Sequence, residues 1–483
     1  VGRPLVLVPA RSPPMKVRAC TYFIAESSFD AILASVKASE GFFRAALSCL
    51  EAEGMPIQMV RVATNSFEEW LADDPDTALA QLCTLDQQLS ALVNALGGGV
   101  SIIASIGYAE KRLGDGVLPR ALAQTDHLFT CVRCVCTPAG LPDMEHALAC
   151  AKLVLDVNAA ADATGGLVTT GPLAGAPLCF KLAVVSNVKP GCPFFPGAFS
   201  PPPSGSGTRL FPDTSAWPTP AFAFACENSD LLVRAFGRAA EAAGGQDVLA
   251  AAHRELRGEF ERLMGQLEAL GAQLEARCPG VSYAGADPSI ASASRPEDSV
   301  VGAFESLGLG PFGGRGTLTV AALVTSVLRG LPHRRVGYCG LMLPHTEDAG
   351  LSRLADEGAL GIDTLLLCSA VCGTGLDTIP VPGDATPAQL AALFADVSTM
   401  ATRLAKPLSC RVWPVQGRKA GDRVHFGCPF FVDSSVLPLD PPRAGPLGVG
   451  GRHAHLWLTA AAAVGAVAGF VVARGLAGGR SLP

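Results

Sequence analysis

The sequence predicts an α/β fold on three observations. Short β-branched runs alternate with amphipathic helical stretches from Lys16 onward, capping residues and glycines punctuate the joins, and 49% of the 483 residues are hydrophobic against 17% charged. That composition supports a sizeable core in one to three domains. A formal net charge of -6 with scattered Lys and Arg leaves no basic footprint, so no nucleic-acid partner is expected. Among the sixteen cysteines, Cys20, Cys49, Cys83, Cys179 and Cys339 sit singly in apolar runs, the pattern of buried free thiols in a reducing compartment.

Residues 1–15 read as a leader or upstream segment, too short and proline-broken for a signal peptide's apolar core, with Met15 a candidate start. Residues 17–24 form a strand. Ser28 then caps a helix that places Ile32, Val36, Phe43, Leu47 and Leu50 on one face, and Gly54 stops it. A strand at 57–63 leads to Ser66 and Glu69, spaced as a capping box. A helix at 76–96 follows, and Gly97 to Gly99 break it before a strand at 100–105. Further strands are predicted at 127–136, 180–186, 221–226, 281–284, 335–343, 362–369 and 409–415, ten in all. Residues 255–277 carry Leu256, Phe260, Leu263, Leu267, Leu270 and Leu274 at alternating spacings of four and three, a helix packed by one stripe. No internal repeat is read.

Residues 201–220 are dense in Pro, Ser and Gly and read as a surface insertion. A linker is expected at 439–455. Residues 456–473 carry no charge and would span about 27 Å as a helix, close to a bilayer's hydrocarbon core. They are therefore predicted to be a transmembrane tail anchor that leaves the rest on the cytosolic face of a membrane. If the tail does not insert, the chain is expected to be soluble and cytoplasmic. Ala461, Gly465 and Gly469 stand four apart, a small-residue seam through which a homo-oligomer is expected to pair.

Four stretches offer chemistry. Residues 368–384, CSAVCGTGLDTIPVPGD, present Cys372, Thr374, Asp377 and Asp384 on a proline-stiffened loop after an apolar run. Two cysteines at this spacing are too few for structural zinc, and the aspartates equally suit Asx turns. Residues 308–317, GLGPFGGRGT, precede a helix, so that Gly313, Gly314, Arg315 and Thr317 could hold an anion; the plainer reading is a helix-to-helix turn. His345, Glu347 and Asp348 follow a strand end, where they suit a metal, acid–base work or simply the first turn of a helix. Asn187 and Glu227 close two more strands and would face a common rim in a barrel, with helix capping as the alternative.

The runs KVRACTYFI, VRVATNSFEEWL, GADPSIA, LGLGPFGGRGT, RRVGYCGLMLPHTEDAGL, CSAVCGTGLDTIPVPGD and KPLSCRVWPV resemble domain of unknown function 711. The resemblance covers residues 16–437. That family is similar in fold to the pyruvate formate-lyase barrel, which implies ten strands around a cysteine-bearing finger loop, here residues 368–384. Glycyl radical chemistry is not expected. The radical motif's place is taken by Arg411, Val412, Trp413 and Pro414, with proline where glycine is needed, and the look-alike at Arg335 to Tyr338 is short by one residue and precedes the loop. Fold likeness does not transfer function.

The expectation is thus a ten-stranded pyruvate formate-lyase-like β/α barrel over 16–438 with a C-terminal transmembrane helix. Its function is expected to be non-radical enzymatic action on a small anionic metabolite, or metabolite binding without turnover on a membrane-tethered scaffold. Cys372, Asp377, Asp384, His345 and Glu347 are the catalytic candidates. Gly313, Gly314, Arg315, Thr317, Thr374, Asn187 and Glu227 are the binding candidates. No particular cofactor or metal is indicated.

Overall fold

A computed structural model describes residues 16–440 except 56, 138, 162–165, 169–172, 203–219, 243–246 and 292–293. Five strands, β1 (Val17–Phe23), β2 (Ile57–Ala63), β3 (Ser101–Ala109), β4 (Leu128–Arg133) and β5 (Leu182–Ser186), are joined by helices α1 (Phe29–Ala52), α2 (Pro75–Ala95), α3 (Val117–Gln124) and α4 (Met144–Ala159). Strand β6 (Ala221–Cys226), helices α5 (Ser229–Ala242) and α6 (Val248–Arg277), and strand β7 (Ser282–Asp287) follow. Then come α7 (Val300–Ser306), α8 (Thr317–Arg329), α9 (Ala349–Asp356), α10 (Ile362–Ser369), β8 (Gly375–Pro382), α11 (Pro387–Arg403) and β9 (Leu408–Val415). Two-residue strands β10 (Arg423–Val424) and β11 (Ser434–Ser435) pair near the end of the described chain.

Nine strands make one mixed sheet in the order β7-β6-β1-β2-β3-β4-β5-β9-β8. Strands β1 to β5 run parallel, while β6 and β9 pair antiparallel to β1 and β5 and carry β7 and β8 parallel to themselves. Two parallel sets of opposite sense therefore share the sheet. The α6 stripe of Leu256, Phe260, Leu263, Leu267, Leu270 and Leu274 is buried, as its spacing predicts. The cap at Ser28 is also as expected, accepting from the Ala31 amide. Ser66 caps only a short 3₁₀ turn, because Glu69 turns aside to accept from the Asn65 side chain at 2.6 Å.

The sheet has nine strands where ten are expected. Residues 335–344 make only single parallel bridges, Ala286 with Arg335, Ile290 with Leu341 and Pro344 with Asp377, so this path runs between the edge strands β7 and β8 without a ladder. The reason lies in its amides. Tyr338 and Cys339 donate to the Asp287 carboxylate, Gly340 to Ser289 Oγ and Leu341 to Thr325 Oγ1. Side chains take the donors that a neighbouring strand would have used.

Residues 362–369, expected as a strand, are the helix α10. Its buried residues Ile362, Leu365, Cys368 and Ser369 recur at helical spacing, while Leu367 is 56% exposed. The following 368–384 stretch is no finger loop: after a tight turn it becomes β8, which tolerates Pro380 and Pro382 because it is an edge strand. Among the described residues no helix is long and apolar enough to cross a membrane. The expected transmembrane anchor at 456–473, with its Gly465 and Gly469 seam, lies outside the described residues, as does most of the 201–220 insertion. Among the described residues the fold is thus a mixed α/β sheet, with no helix that could cross a membrane.

A short repeat is present after all. Gly-Cys-Pro-Phe-Phe occurs at 191–195 and again at 427–431, each downstream of the strand that comes last in the chain in one parallel set, β5 or β9. In both copies the thiol, Cys192 or Cys428, meets the backbone of the phenylalanine two residues on.

Candidate functional site

The segment that enters the interior is the first of these copies. From Pro190 to Pro201 every residue is buried. The Pro193 carbonyl accepts from Thr21 Oγ1 at 2.9 Å and Arg61 Nη1 at 2.7 Å, and the Pro196 carbonyl accepts from the Tyr338 hydroxyl at 2.9 Å. Ser200 donates from its amide to the Thr64 carbonyl and from its hydroxyl to the Ala63 carbonyl. Strands β1 and β2 and the 335–344 path thereby hold Phe194, Phe195 and Pro196 as one wall of a cavity.

Arg18, Glu347, Thr374, Asp377 and Arg411 also line the cavity. The cavity volume open to the centre of a water molecule is about 20 Å³. That is room for a water or one compact polar group in the present side-chain positions.

Two irregularities in the sheet aim the charged residues. In β1 the register slips between Val17, opposite Cys226, and Ala19, opposite Ala225, so Arg18 is the extra residue of a bulge. In β8 the register slips between Leu376 and Ile379, a stretch that holds Asp377 and the left-handed Thr378 at φ 51°. Bulges re-aim side chains and are enriched beside active sites.

The charges form one buried network. Arg18 donates to Glu347 Oε2 at 2.6 Å and lies 3.5 Å from Glu227. Arg411 holds Asp377 at 2.6 and 3.0 Å and reaches Glu347 at 3.5 Å. Its guanidinium also stacks over Phe180, 4.2 Å from the ring centre. Burial opposes the charge on Arg18, yet Glu347 and Glu227 outweigh it and raise its pKa. Burial raises the Asp377 carboxyl, with Arg411 pulling against it.

Behind the cavity, Arg61 is 4% exposed, has no carboxylate partner among the described residues, and its Nε is unpartnered. Burial first, then the neighbouring Arg18, brings its pKa down to about 9. Other buried polar groups also lack partners, among them the Thr374 hydroxyl on the cavity wall and both amide atoms of Asn228 next to Glu227 in the chain.

The structure gathers only part of the expected set. Glu347, Asp377 and Thr374 line the cavity, and Glu227 joins through Arg18. Cys372 is buried just before Thr374 but is not a wall residue. His345 is fully buried with Nε2 2.7 Å from Ser434 Oγ, and burial pushes its pKa down to about 4. Its neighbour Asp348 caps α9 and accepts from Ser299 Oγ. Among the described residues no three His, Cys, Asp or Glu side chains converge as a metal site.

Asp384 is exposed in the turn before α11, and Asn187 faces outward, donating to the Ala401 carbonyl at 2.8 Å. Gly313, Gly314 and Arg315 are exposed in a turn that closes on itself, the Gly313 amide donating to Thr317 Oγ1 at 2.9 Å. Sequence reasoning missed Arg18, Arg61 and the Phe194–Phe195 wall. Arg411 was visible only as part of a broken radical motif. The available signal was the repeated pentapeptide and an arginine placed inside each of three apolar strands.

Comparison with known proteins adds a family context. The family model described as "Uncharacterised ACR (DUF711)" matches residues 11–434. A "UPF0210 protein" of Pelotomaculum thermopropionicum is 31% identical over 373 residues, 75% of this chain and 74% of the relative. Similar proteins of the same description occur in Desulforudis audaxviator, 29% identical over 383 residues and 77% of each chain, and in Listeria monocytogenes, 29% identical over 390 residues covering 78% of this chain and 79% of the relative.

Proposed function

The chain belongs to the DUF711 family, and from that premise we propose that it takes a small metabolite bearing an anionic group into the Arg18–Arg411 cavity and acts on it by proton transfer through Glu347 or Asp377. The observation that carries this reading is the buried ion network around a cavity. Burying such charges costs several kcal/mol per ion before pairing, and well-packed apolar residues would often stabilise a fold as well or better. A network of this kind, aimed by two bulges into a small polar cavity, is better suited to a ligand than to stability. Arg411 and Arg18 would hold the anion, since guanidinium donors match a carboxylate in pairs.

Asp377 suits acid–base work because burial favours its protonated form. A second reading, binding without turnover, is favoured by one feature: every lining charge already has a partner. The two readings separate experimentally. Small carboxylates and phosphates are screened for a rise in melting temperature and for consumption of the compound. Arg18→Met and Arg411→Met should abolish the thermal shift in both readings, whereas Glu347→Gln and Asp377→Asn should abolish turnover only where there is chemistry. If no anionic compound stabilises the protein, the proposal falls.

A further inference from the structure

Resting on that reading, we propose that the ligand is a zwitterion, an α-amino acid with a short side chain, and that Thr374 is a specificity-determining contact for it. Among the lining residues Arg18 and Arg411 are matched by Glu347 and Asp377, so the two signs balance. The lining guanidinium groups already hold carboxylates: Arg18 holds Glu347 at 2.6 Å and Arg411 holds Asp377 at 2.6 Å. A plain anion that captures either guanidinium must turn a carboxylate loose in a buried place, which is strongly unfavourable.

A zwitterion avoids that loss by exchange. Its carboxylate takes the place of Glu347 or Asp377 on the arginine, and its ammonium takes the place of the arginine on the released carboxylate. Charge stays balanced at every stage, and each new contact is a charge-assisted hydrogen bond.

Thr374 supplies the independent observation. Its side chain is 1% exposed, it lines the cavity, and its hydroxyl has no partner. A buried hydroxyl left unpaired is costly, so a group that fills the cavity and bonds to it recovers that cost. The hydroxyl both donates and accepts, so it serves either end of the zwitterion. Phe194, Phe195 and Met342 add apolar surface to the same lining; because the cavity as it stands has room for about one water, a ligand enters only as Glu347 or Asp377 moves off its arginine, which restricts it to a short side chain.

The test uses the full chain and matched compounds: glycine, alanine and serine; glycolate, lactate and glycerate; and methylamine, ethylamine and ethanolamine. Melting temperature and calorimetric affinity are measured at neutral pH. At least one amino acid should stabilise the protein while its hydroxy-acid and amine counterparts do not. Thr374→Val, which keeps the shape and removes the hydroxyl, should weaken that binding about tenfold without lowering the melting temperature of the free protein.

Equal stabilisation by a hydroxy acid overturns the zwitterion assignment and leaves the anion reading standing. Stabilisation by the amine alone overturns both, whereas no stabilisation by any of the nine overturns the zwitterion assignment and leaves the anion reading to the wider screen of carboxylates and phosphates. Unchanged amino-acid affinity in Thr374→Val removes Thr374 from the site.

Discussion

Arg411 grips both carboxylate oxygens of Asp377, Nε to Oδ1 at 2.6 Å and Nη2 to Oδ2 at 3.0 Å, across two adjacent parallel strands. Asp377 sits inside the irregular stretch of β8 between the pairs Leu376 with Cys410 and Ile379 with Val412. Its place depends on backbone geometry as well as on charge. Removing one partner leaves a buried, uncompensated carboxylate. Arg411→Met should therefore cost about 3–5 kcal/mol of stability in urea titrations. Adding Asp377→Leu should restore much of that loss, since an apolar pair is often no worse than the ion pair it replaces. If the double variant is as unstable as the single one, the cost lies in packing against Phe180 instead.

The entry to β8 offers a test of the bulge itself. Gly375 has φ 101°, and a Cβ there would stand 2.3 Å from the Ser409 carbonyl oxygen. Gly375→Ala must push β8 away from β9, which moves Asp377 off Arg411. We expect a loss of about 1–3 kcal/mol in stability. It should be accompanied by weaker ligand binding, although residue 375 itself is not in the cavity wall. Unchanged affinity in a destabilised variant would separate the strand pairing from the site.

His345 and Asp287 make opposite contributions to stability across acid pH. Burial holds the folded pKa of His345 at about 4, below an unfolded value near 6.5, so the unfolded chain takes the proton first and stability is lost as pH falls through that window. Burial raises Asp287 to about 6, so the folded state keeps its proton longer and stability falls as pH rises from about 4 to 6. His345→Gln can keep a hydrogen bond to Ser434 and removes the first contribution. Unfolding free energies measured between pH 6.5 and 4 should then fall by about 3 kcal/mol less than in the unaltered protein.

The one-sided stripe of α6 was legible in the sequence, and β1 to β4 were legible as short apolar runs between capping residues and glycines, buried almost throughout because both faces of the parallel sheet are covered. The misread elements each have a competing cause. The run from Ile362 to Leu367 has only Asp363 and Thr364 to break it, and the three leucines that follow fit strand or helix alike, so only packing shows that Leu367 is exposed. Residues 335–343 have strand composition, but their amides are claimed by Asp287, Ser289 and Thr325, groups remote in sequence or on another element. β8 hides behind two prolines that only an edge strand accepts. In the site, Glu347, Asp377 and Thr374 could be found because polar residues at element ends stand out. Arg18, Arg61 and Arg411 lie within apolar strands, where nothing short of the assembled sheet tells an inward-aimed arginine from an outward one.

The turn that carries Cys372 separates a residue's place in the chain from its place in the site. Lys406 Nζ donates to the carbonyls of Ser369 at 2.7 Å and Cys372 at 2.5 Å, and the Gly373 amide donates to the Leu341 carbonyl. Backbone groups, not the thiol, hold this turn in position and present Thr374 to the cavity. Cys372→Ser should accordingly leave ligand affinity within about twofold of the unaltered protein. Lys406→Met should weaken it about tenfold by freeing two carbonyls and loosening the turn, an effect of the size expected for lost hydrogen bonds to a charged group. Calorimetry with whichever compound stabilises the protein provides the comparison, with urea titration to confirm that each variant is folded. A Cys372→Ser variant that lost binding or turnover while remaining folded would return the thiol to the reacting centre, and the cavity drawn by Arg18, Thr374 and Arg411 would have to be extended to include it.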